Sequence, residues 1–401
     1  MSALPPASSS THSRRRHRAG LGGALLLVAA LVLTGCSAAA DSSSSHNAAQ
    51  PQDSTEDQVT TDAPATDGSG STDVAQGGAE TLLVADFGAD TVTFVDPQTG
   101  PTDSVQVGMA PYGLVVGADG RAWVATAEGV AVVDTLTRER LSLIPYEAEV
   151  GEIMGGEYRG GGMGIAMSPD GEQVYVGVNI PNRNGALEII DVASEQVTDS
   201  VEVGLRPFDV DVAADGTQVY VTNHDSYDVT VIDAATHNAR NFEVAPYGTE
   251  GGLGSWLKPH YAAVRADGML ALPFEGQKLA MLDPKTGSVT VEAMTASTHQ
   301  HGTTYAPDGS LLVVGTGPIG NANGAASLTI RSPEGDERVI ALDGPHEDVA
   351  VSSDSRTAYV SGGFTRDGYW DGITVVDLTS GDTRKLEAGQ RPLGVAVLEA
   401  R

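Results

Sequence analysis

The chain has 401 residues, with 53 acidic side chains against 23 basic ones and a formal net charge of −30. A surface of this sign disfavours nucleic acid and anionic lipid headgroups as partners, and it concentrates cations nearby. The single cysteine excludes an intrachain disulfide, so a folded domain of this size must be stabilised by its core.

The first 36 residues are typical of an export signal. Arginines at 14, 15, 16 and 18 precede a short apolar stretch, Leu21–Leu33, which is too short for a comfortable membrane span. The stretch ends in Leu33-Thr34-Gly35-Cys36, which resembles the lipobox of bacterial lipoproteins. The resemblance implies cleavage before Cys36 and acylation of its sulfur. We therefore expect a signal peptide over 1–35 and an extracytoplasmic protein attached to the membrane by its lipid alone.

The segment 36–79 is predicted to be a disordered acidic tether. It is rich in Ser, Ala, Asp, Thr and Gly, and it contains almost no bulky apolar residue. Such a composition cannot bury enough apolar surface to fold. No basic residue lies between Arg18 and Arg121, and removal of the four signal arginines brings the mature net charge to −34.

From residue 80 to residue 401 the sequence repeats seven times. Each unit contains a short apolar run, an Asp-Gly turn, a strand such as Gln218–Asn223, a loop, and a strand such as Val229–Asp233. The turns recur at Asp119, Asp170, Asp215, Asp267 and Asp308, with Asp354-Ser355 in the sixth place. A spacing of roughly 40–50 residues with four short strands per unit indicates the blades of a β-propeller. The prediction is an all-β, seven-bladed propeller.

The two ends of the repeat region are expected to share one blade. The region opens with a second strand at Leu82–Ala85 and closes with a first strand at Leu393–Leu398. Pairing them would remove the free sheet edges. At Val219-Tyr220-Val221-Thr222-Asn223 and Arg391-Pro392-Leu393-Gly394-Val395 the sequence resembles the YVTN family of propeller repeats, a likeness that implies the fold and not a function.

Long insertions are predicted on one face only. The connections after the second and fourth strands of each unit are the longer ones. The predicted insertions are Pro145–Gly162, Asn179–Gly185, Ala245–Pro259, Ala293–Gln300, Thr316–Ala325 and Ser361–Gly372. Variable loops on a rigid scaffold usually carry function. The glycine-rich loops 151–162 and 245–259 are candidate lids.

Histidines recur at one position of the repeat. Counting back from the hairpin aspartate places His260, His301 and His346 at the start of three successive innermost strands. The corresponding residues in the other repeats are Tyr112, Met163, Phe208 and Leu393. Three imidazoles converging at the mouth of the central channel would suit zinc, with copper as the alternative. Additional candidate ligands or orienting groups are His224, His299, Glu347 and Asp209.

An exported acidic propeller with channel histidines also resembles the lipoprotein or periplasmic zinc metallochaperones that serve ABC-type zinc importers. The resemblance implies that the protein holds zinc and passes it to the importer's solute-binding protein. This function predicts a monomer that is not an enzyme. Two alternatives stay open: a catalytic metal site, and a metal-independent protein-binding or adhesion scaffold anchored by aromatic residues of the long-loop face (Tyr158, Trp256, Phe364, Tyr369 and Trp370).

Overall fold

The structure is a computed structural model that describes residues 80–398, apart from 157, 246–257, 275, 319–322 and 364–368. The predicted signal peptide, the tether, Cys36, Trp256 and Phe364 lie outside the described residues. Within the described part of the chain there are 28 β-strands and no helix, so no helix there could cross a membrane.

The strands form seven four-stranded antiparallel sheets, each with its first strand innermost. The closing sheet contains β28 (Pro392–Leu398), β1 (Thr81–Asp86), β2 (Thr91–Asp96) and β3 (Gly100–Gln106). The next two contain β4 (Leu114–Val116), β5 (Arg121–Ala125), β6 (Gly129–Asp134) and β7 (Glu139–Pro145), then β8 (Gly161–Met167), β9 (Gln173–Asn179), β10 (Ala186–Asp191) and β11 (Gln196–Glu202). The fourth and fifth contain β12 (Pro207–Val212), β13 (Gln218–Asn223), β14 (Asp228–Asp233) and β15 (Ala239–Glu243), then β16 (Ala263–Val264), β17 (Leu270–Phe274), β18 (Gly276–Asp283) and β19 (Ser288–Thr298). The last two contain β20 (Gln300–Tyr305), β21 (Leu311–Gly315), β22 (Ser327–Arg331) and β23 (Glu337–Ala341), then β24 (Val349–Val351), β25 (Thr357–Ser361), β26 (Gly372–Asp377) and β27 (Thr383–Glu387).

The hairpin turns confirm the repeat assignment. The glycines of the Asp-Gly turns have positive φ, for example 69° at Gly216 and 88° at Gly309. In the sixth repeat, Ser355 adopts the same conformation at φ 57° without the advantage of a missing Cβ. Positive φ is the conformation that a tight β-hairpin requires. The Asp-Gly spacing therefore located real hairpins.

The predicted pairing of the two ends of the repeat region within one blade is confirmed. Strand β28 pairs antiparallel with β1, with Val84 opposite Val395 and Leu82 opposite Val397. Val84 and Val395 are buried in a cluster that also contains Tyr359 of the preceding blade. Because the last strand completes the first blade, all seven described sheets have four strands.

Long connections lie mostly where the sequence predicts them. The connection from β7 to β8 and the one from β15 to β16 are both long, and both join an outer strand to the next inner strand. The segment Ala293–Gln300 is a correction, because β19 is 11 residues long and continues to Thr298. Its register shifts between Gly276 and Lys278 of β18, which absorbs the extra residues within the sheet.

The inner strands approach one another so closely that some positions exclude any side chain. A Cβ on Gly164 would lie 2.5 Å from the Cα of Asp209, and one on Gly302 would lie 2.6 Å from the Cα of Asp348. Below the channel mouth is a cavity of about 140 Å³, lined in part by Asp209, Asp348 and Tyr261. The inner strands of neighbouring blades therefore pack directly against each other at these glycines.

Asp86 gives a test of the closing blade. Its carboxylate is buried and accepts hydrogen bonds from Thr91 and Thr93, and burial raises its pKa from 3.8 to about 7. A carboxyl group whose folded pKa is raised stabilises the fold at low pH, and this contribution is lost as the pH rises from about 4 to 7. Asp86→Asn should therefore gain stability relative to the parent as the pH rises, by at most about 4 kcal/mol.

Denaturant unfolding at pH 5 and pH 8 measures this effect. Asp96→Asn is the matched control, since backbone N–H groups of Gln98 and Thr99 lower the pKa of exposed Asp96. That substitution should be unfavourable at both pH values. An Asp86→Asn difference that is the same at pH 5 and pH 8 would contradict the buried-carboxyl interpretation.

Candidate metal centre

Three buried histidines come together at the channel mouth. They are His260, which precedes β16, His299, which lies between β19 and β20, and His301 in β20. One ligand nitrogen from each lies within 4.8 Å of the other two. All three residues are at most 7% exposed. Among the described residues, this is the group of ligand-bearing side chains that could hold a metal ion.

The spacing of two of the imidazoles, His299 and His301, matches a shared ion. The Nε2 atoms of His299 and His301 are 3.3 Å apart. Two nitrogens bound to tetrahedral zinc at about 2.0–2.1 Å are separated by roughly 3.3–3.4 Å. The ring of His260 stacks on that of His301, with centroids 4.4 Å apart and planes 20° apart. The Nδ1 atom of His260 is buried and has no hydrogen-bond partner among the residues that the structure describes, as expected for a nitrogen left for a ligand.

Glu347 orients one of these rings. The Nδ1–H of His301 donates to Glu347 Oε1 at 2.9 Å, and the Tyr261 hydroxyl donates to the same oxygen at 3.1 Å. A carboxylate can only accept, so Nδ1 carries the proton and Nε2 of the neutral ring is left as an acceptor. A carboxylate behind a histidine fixes the tautomer and increases the basicity of the ligating nitrogen.

Burial keeps His260 uncharged. The pKa of His260 is held well below 6.5 by desolvation and then by the neighbouring His301, His224 and His299 rings. An unprotonated imidazole is the form that binds a metal. His260 is therefore unprotonated, and able to bind a metal, at neutral pH.

The structure does not bring His346, the third predicted ligand, together with His260 and His301. Its Nδ1–H donates to the Gly344 carbonyl at 2.7 Å, and its Nε2 accepts from the Thr374 hydroxyl at 2.7 Å. Its ring packs against Trp370 in an edge-on arrangement. Both nitrogens are used in holding a loop to β26, so this histidine is structural.

The difference arises because His346 is displaced by one residue from the repeat position that His260 and His301 occupy. His260 and His301 precede their hairpin aspartates, Asp267 and Asp308, by seven positions, whereas His346 precedes Asp354 by eight. The residue seven positions before Asp354 is Glu347, which contacts His301. The equivalent positions do converge, and four others, Tyr112, Met163, Phe208 and Leu393, form one buried cluster.

His299 was only a secondary candidate, although its position carried a usable signal. It lies two residues before His301, and residues i and i+2 of a strand point to the same side. A shift in the register of β20 with β21 between Gln300 and Thr303 adds freedom at this point. The two rings meet edge-on with centroids 4.3 Å apart.

Asp209 does not join the cluster. Its Oδ2 accepts from the backbone N–H of Ala262 and its Oδ1 from that of Val210. Burial raises its pKa to about 6. Asp209 lines the cavity below the site, where it connects the inner strands of two blades.

His224 lies beside the cluster rather than within it. Its ring centroid is 4.5 Å from that of His260 and 4.7 Å from that of Phe208. Its Nδ1–H donates to Asp225 Oδ1 at 2.8 Å, and Asp225 also pairs with Arg206 and Lys258. Burial lowers the pKa of His224 to about 4, so its ring is neutral at neutral pH.

One of the candidate lids contributes to this neighbourhood. Tyr158, from the loop between β7 and β8, is 37% exposed and stacks under the Arg206 guanidinium, 3.8 Å from its ring centroid. Its own ring lies 6.4 Å from that of His224. Of the second loop, residues 246–257 lie outside the described residues.

Comparison with known proteins supports the fold. No protein-family profile matches the sequence, and no curated protein is detectably similar to it in sequence. Similar solved structures include hydrazine synthase from Kuenenia stuttgartiensis (TM-score 0.58, 16% identity, covering 72% of this chain and 95% of that one). Others are virginiamycin B lyase from Staphylococcus aureus (0.54, 15%, 79% and 92%) and the periplasmic gluconolactonase of Pseudomonas aeruginosa (0.58, 15%, 80% and 99%).

These similarities correct one prediction. The expectation that the chain is not an enzyme is contradicted at the level of the fold, since the propellers that resemble it are named as a synthase, a lyase and a lactonase. At 15–16% identity the likeness shows the fold alone. The chain is thus a seven-bladed β-propeller with a triad of buried histidines at its channel mouth.

Proposed function

We propose that this protein binds a divalent metal, zinc in the first instance, through His260, His299 and His301. The observation that carries the proposal is the triad itself, in which three buried imidazoles have ligand atoms within 4.8 Å of one another. The carboxylate behind His301 adds support, because ligating histidines almost always donate their other N–H to such a partner.

Zinc suits this donor set better than copper. Imidazole binds both ions, but copper(I) sites favour sulfur, and the only cysteine is Cys36 at the predicted lipidation site. The thioether of Met163 packs among Tyr112, Phe208 and Leu393 in an apolar cluster. Three nitrogen ligands leave a fourth tetrahedral position for water or an incoming donor.

The biological role that we propose is zinc delivery at the cell envelope. The lipobox-like sequence ending at Cys36 supports attachment to the outer side of the membrane, and the tether 36–79 would give the propeller reach. A solute-binding protein of a zinc importer is the proposed recipient. The open fourth position supports this role, because a donor from the recipient can bind zinc there before the histidines release it.

Two measurements test this function. Metal content of the purified full-length protein should be about one zinc per chain. Zinc-loaded protein mixed with the apo solute-binding protein should then transfer zinc at a rate that rises with recipient concentration and exceeds spontaneous release. A transfer rate equal to spontaneous release at every recipient concentration would contradict delivery, and absence of bound metal would contradict the metal site and favour a protein-binding scaffold.

Metal-assisted catalysis is the second candidate, and the set of three imidazoles also favours it, because three ligands leave a fourth tetrahedral position on a zinc ion. A catalytic zinc has three protein ligands and one exchangeable water, whose pKa the metal lowers to about 7. The lactonase named among the similar propellers suggests a lactone as the first substrate to try. Zinc-dependent hydrolysis that is lost with the triad would favour this role over delivery.

Substitution of Glu347 tests the orientation of the metal ligand. Glu347→Gln keeps the volume and the contact with Tyr261, but it removes the charge behind His301. The expected result is a zinc affinity 10–100-fold weaker, with folding retained. Competition with a chelator measures the change. The control Glu128→Gln alters an exposed-loop carboxylate that accepts from the Met109 N–H, and it should leave affinity unchanged.

A further inference from the structure

The rings at the channel mouth form a continuous series that extends beyond the metal triad. His301 lies 4.4 Å from His260, and His260 lies 4.5 Å from His224, measured between ring centroids. His224 is followed by Tyr158 at 6.4 Å, which is the first partly exposed ring of the series. The two spacings between histidine rings are nearly equal, and His224 lies between the triad and the exposed ring of Tyr158.

The ring of His224 is prepared as a ligand. Its Nδ1–H is fixed by Asp225, so the lone pair is on Nε2 at the opposite side of the ring. This repeats the arrangement of Glu347 behind His301. Two cations, Arg206 and Lys258, are bonded to the Asp225 carboxylate, which itself lies on the Nδ1 side of the His224 ring.

His224 is nonetheless not part of the resting triad. The group whose ligand atoms are mutually within 4.8 Å contains His260, His299 and His301 and does not include it. His224 is oriented by a carboxylate and lies next to a ligand, but it is outside the ligand set. It therefore has no function in holding the ion. A role in moving the ion accounts for its orientation.

We propose that His224 is a transfer ligand, which binds the metal transiently through Nε2 as the ion passes between the channel mouth and the buried triad. The inference rests on the proposed function, since it presumes that the triad binds zinc. An ion that reaches three buried imidazoles must first lose its water ligands. A nitrogen donor on the path to the triad replaces one of these waters. Such a donor lowers the barrier in both directions without changing the stability of the loaded state.

The test is a comparison of rates with affinity. His224→Phe keeps an aromatic ring against Phe208 and His260 but cannot bind metal. Stopped-flow loading of the full-length protein with zinc, and release of zinc to a chelator, should both slow about tenfold or more. The dissociation constant should stay within about threefold of the parent value, because the end states are unchanged. Asp225→Asn, which keeps the shape but weakens the orientation, should slow both rates by a smaller factor.

The outcomes separate this inference from the proposed function. A parent protein that binds no zinc overturns the proposed function. If the parent binds zinc and His224→Phe leaves both rates unchanged, only the transfer role is overturned. If His224→Phe weakens affinity more than tenfold through faster release alone, His224 is a resting ligand and the transfer role is again overturned. His237→Phe, at a partly exposed histidine paired with Asp199, is the matched control and should change neither rate nor affinity.

Discussion

His301→Ala should abolish stoichiometric zinc binding, whereas His346→Ala should leave zinc binding intact and lower the stability of the fold. His301 supplies a ligand nitrogen and is itself oriented by Glu347. Removal of one of three ligands should weaken affinity by on the order of a thousandfold, or about 4 kcal/mol. The substitution leaves only two imidazoles of the triad, too few for a tight site.

The expected effect of His346→Ala comes from hydrogen bonds rather than from metal. Loss of the ring leaves the buried Thr374 hydroxyl without the acceptor that it uses at 2.7 Å. It also removes the packing against Trp370. The unpaired hydroxyl alone costs roughly 1–3 kcal/mol, so the unfolding midpoint should fall while bound zinc stays near one per chain.

Metal analysis and thermal unfolding of both variants, with and without excess zinc, measure the contrast. Zinc should raise the unfolding temperature of the parent and of His346→Ala, since a ligand that binds only the native state stabilises it. It should not raise that of His301→Ala. Zinc lost in His346→Ala and retained in His301→Ala would make His346 the ligand in place of His301 and overturn the triad.

The fold could be predicted from the sequence because its determinants are local. An aspartate and a residue with positive φ specify each hairpin, and the run before it and the run after it specify two strands. The closing pair Val84 and Val395 is long-range, yet it followed from the observation that the repeat starts at its second strand and ends at its first. The repeats thus made it possible to predict a long-range strand pairing from the order of the strands in the sequence.

The site depends on one-residue shifts of side chains relative to the repeat, and the spacing of the hairpin aspartates predicts these shifts less well. Glu347, not His346, occupies the position equivalent to His301, because the sixth repeat has an extra residue relative to the spacing in its neighbours. His299 enters the site through a local change of register at the start of β20. His224 lies in the turn between β13 and β14. The repeat pattern does not specify the direction of a side chain in this turn.

Val395→Asp should prevent stable folding of the whole propeller. Val395 is 7% exposed and packs in the cluster with Val84, Leu82 and Ile373 that joins the last blade to the closing one. Its backbone N–H donates to Asp348 Oδ2, at 3.3 Å, and the pKa of that buried carboxyl is already raised to about 7. A second carboxylate there would be buried without a partner.

The expected loss is more than about 4 kcal/mol, a large fraction of the stability of an ordinary domain. Because β28 supplies the inner strand of the closing blade, its displacement exposes the edge of β1 and should unfold the ring cooperatively, with zinc binding lost as well. Val395→Thr, nearly isosteric, should cost less and keep zinc. Thr383→Asp, at an exposed position of β27, should be nearly neutral in denaturant unfolding. If Val395→Asp unfolds at the same denaturant concentration as Thr383→Asp, then closure by β28 contributes little, and the blades must be held together by the packing of their faces alone.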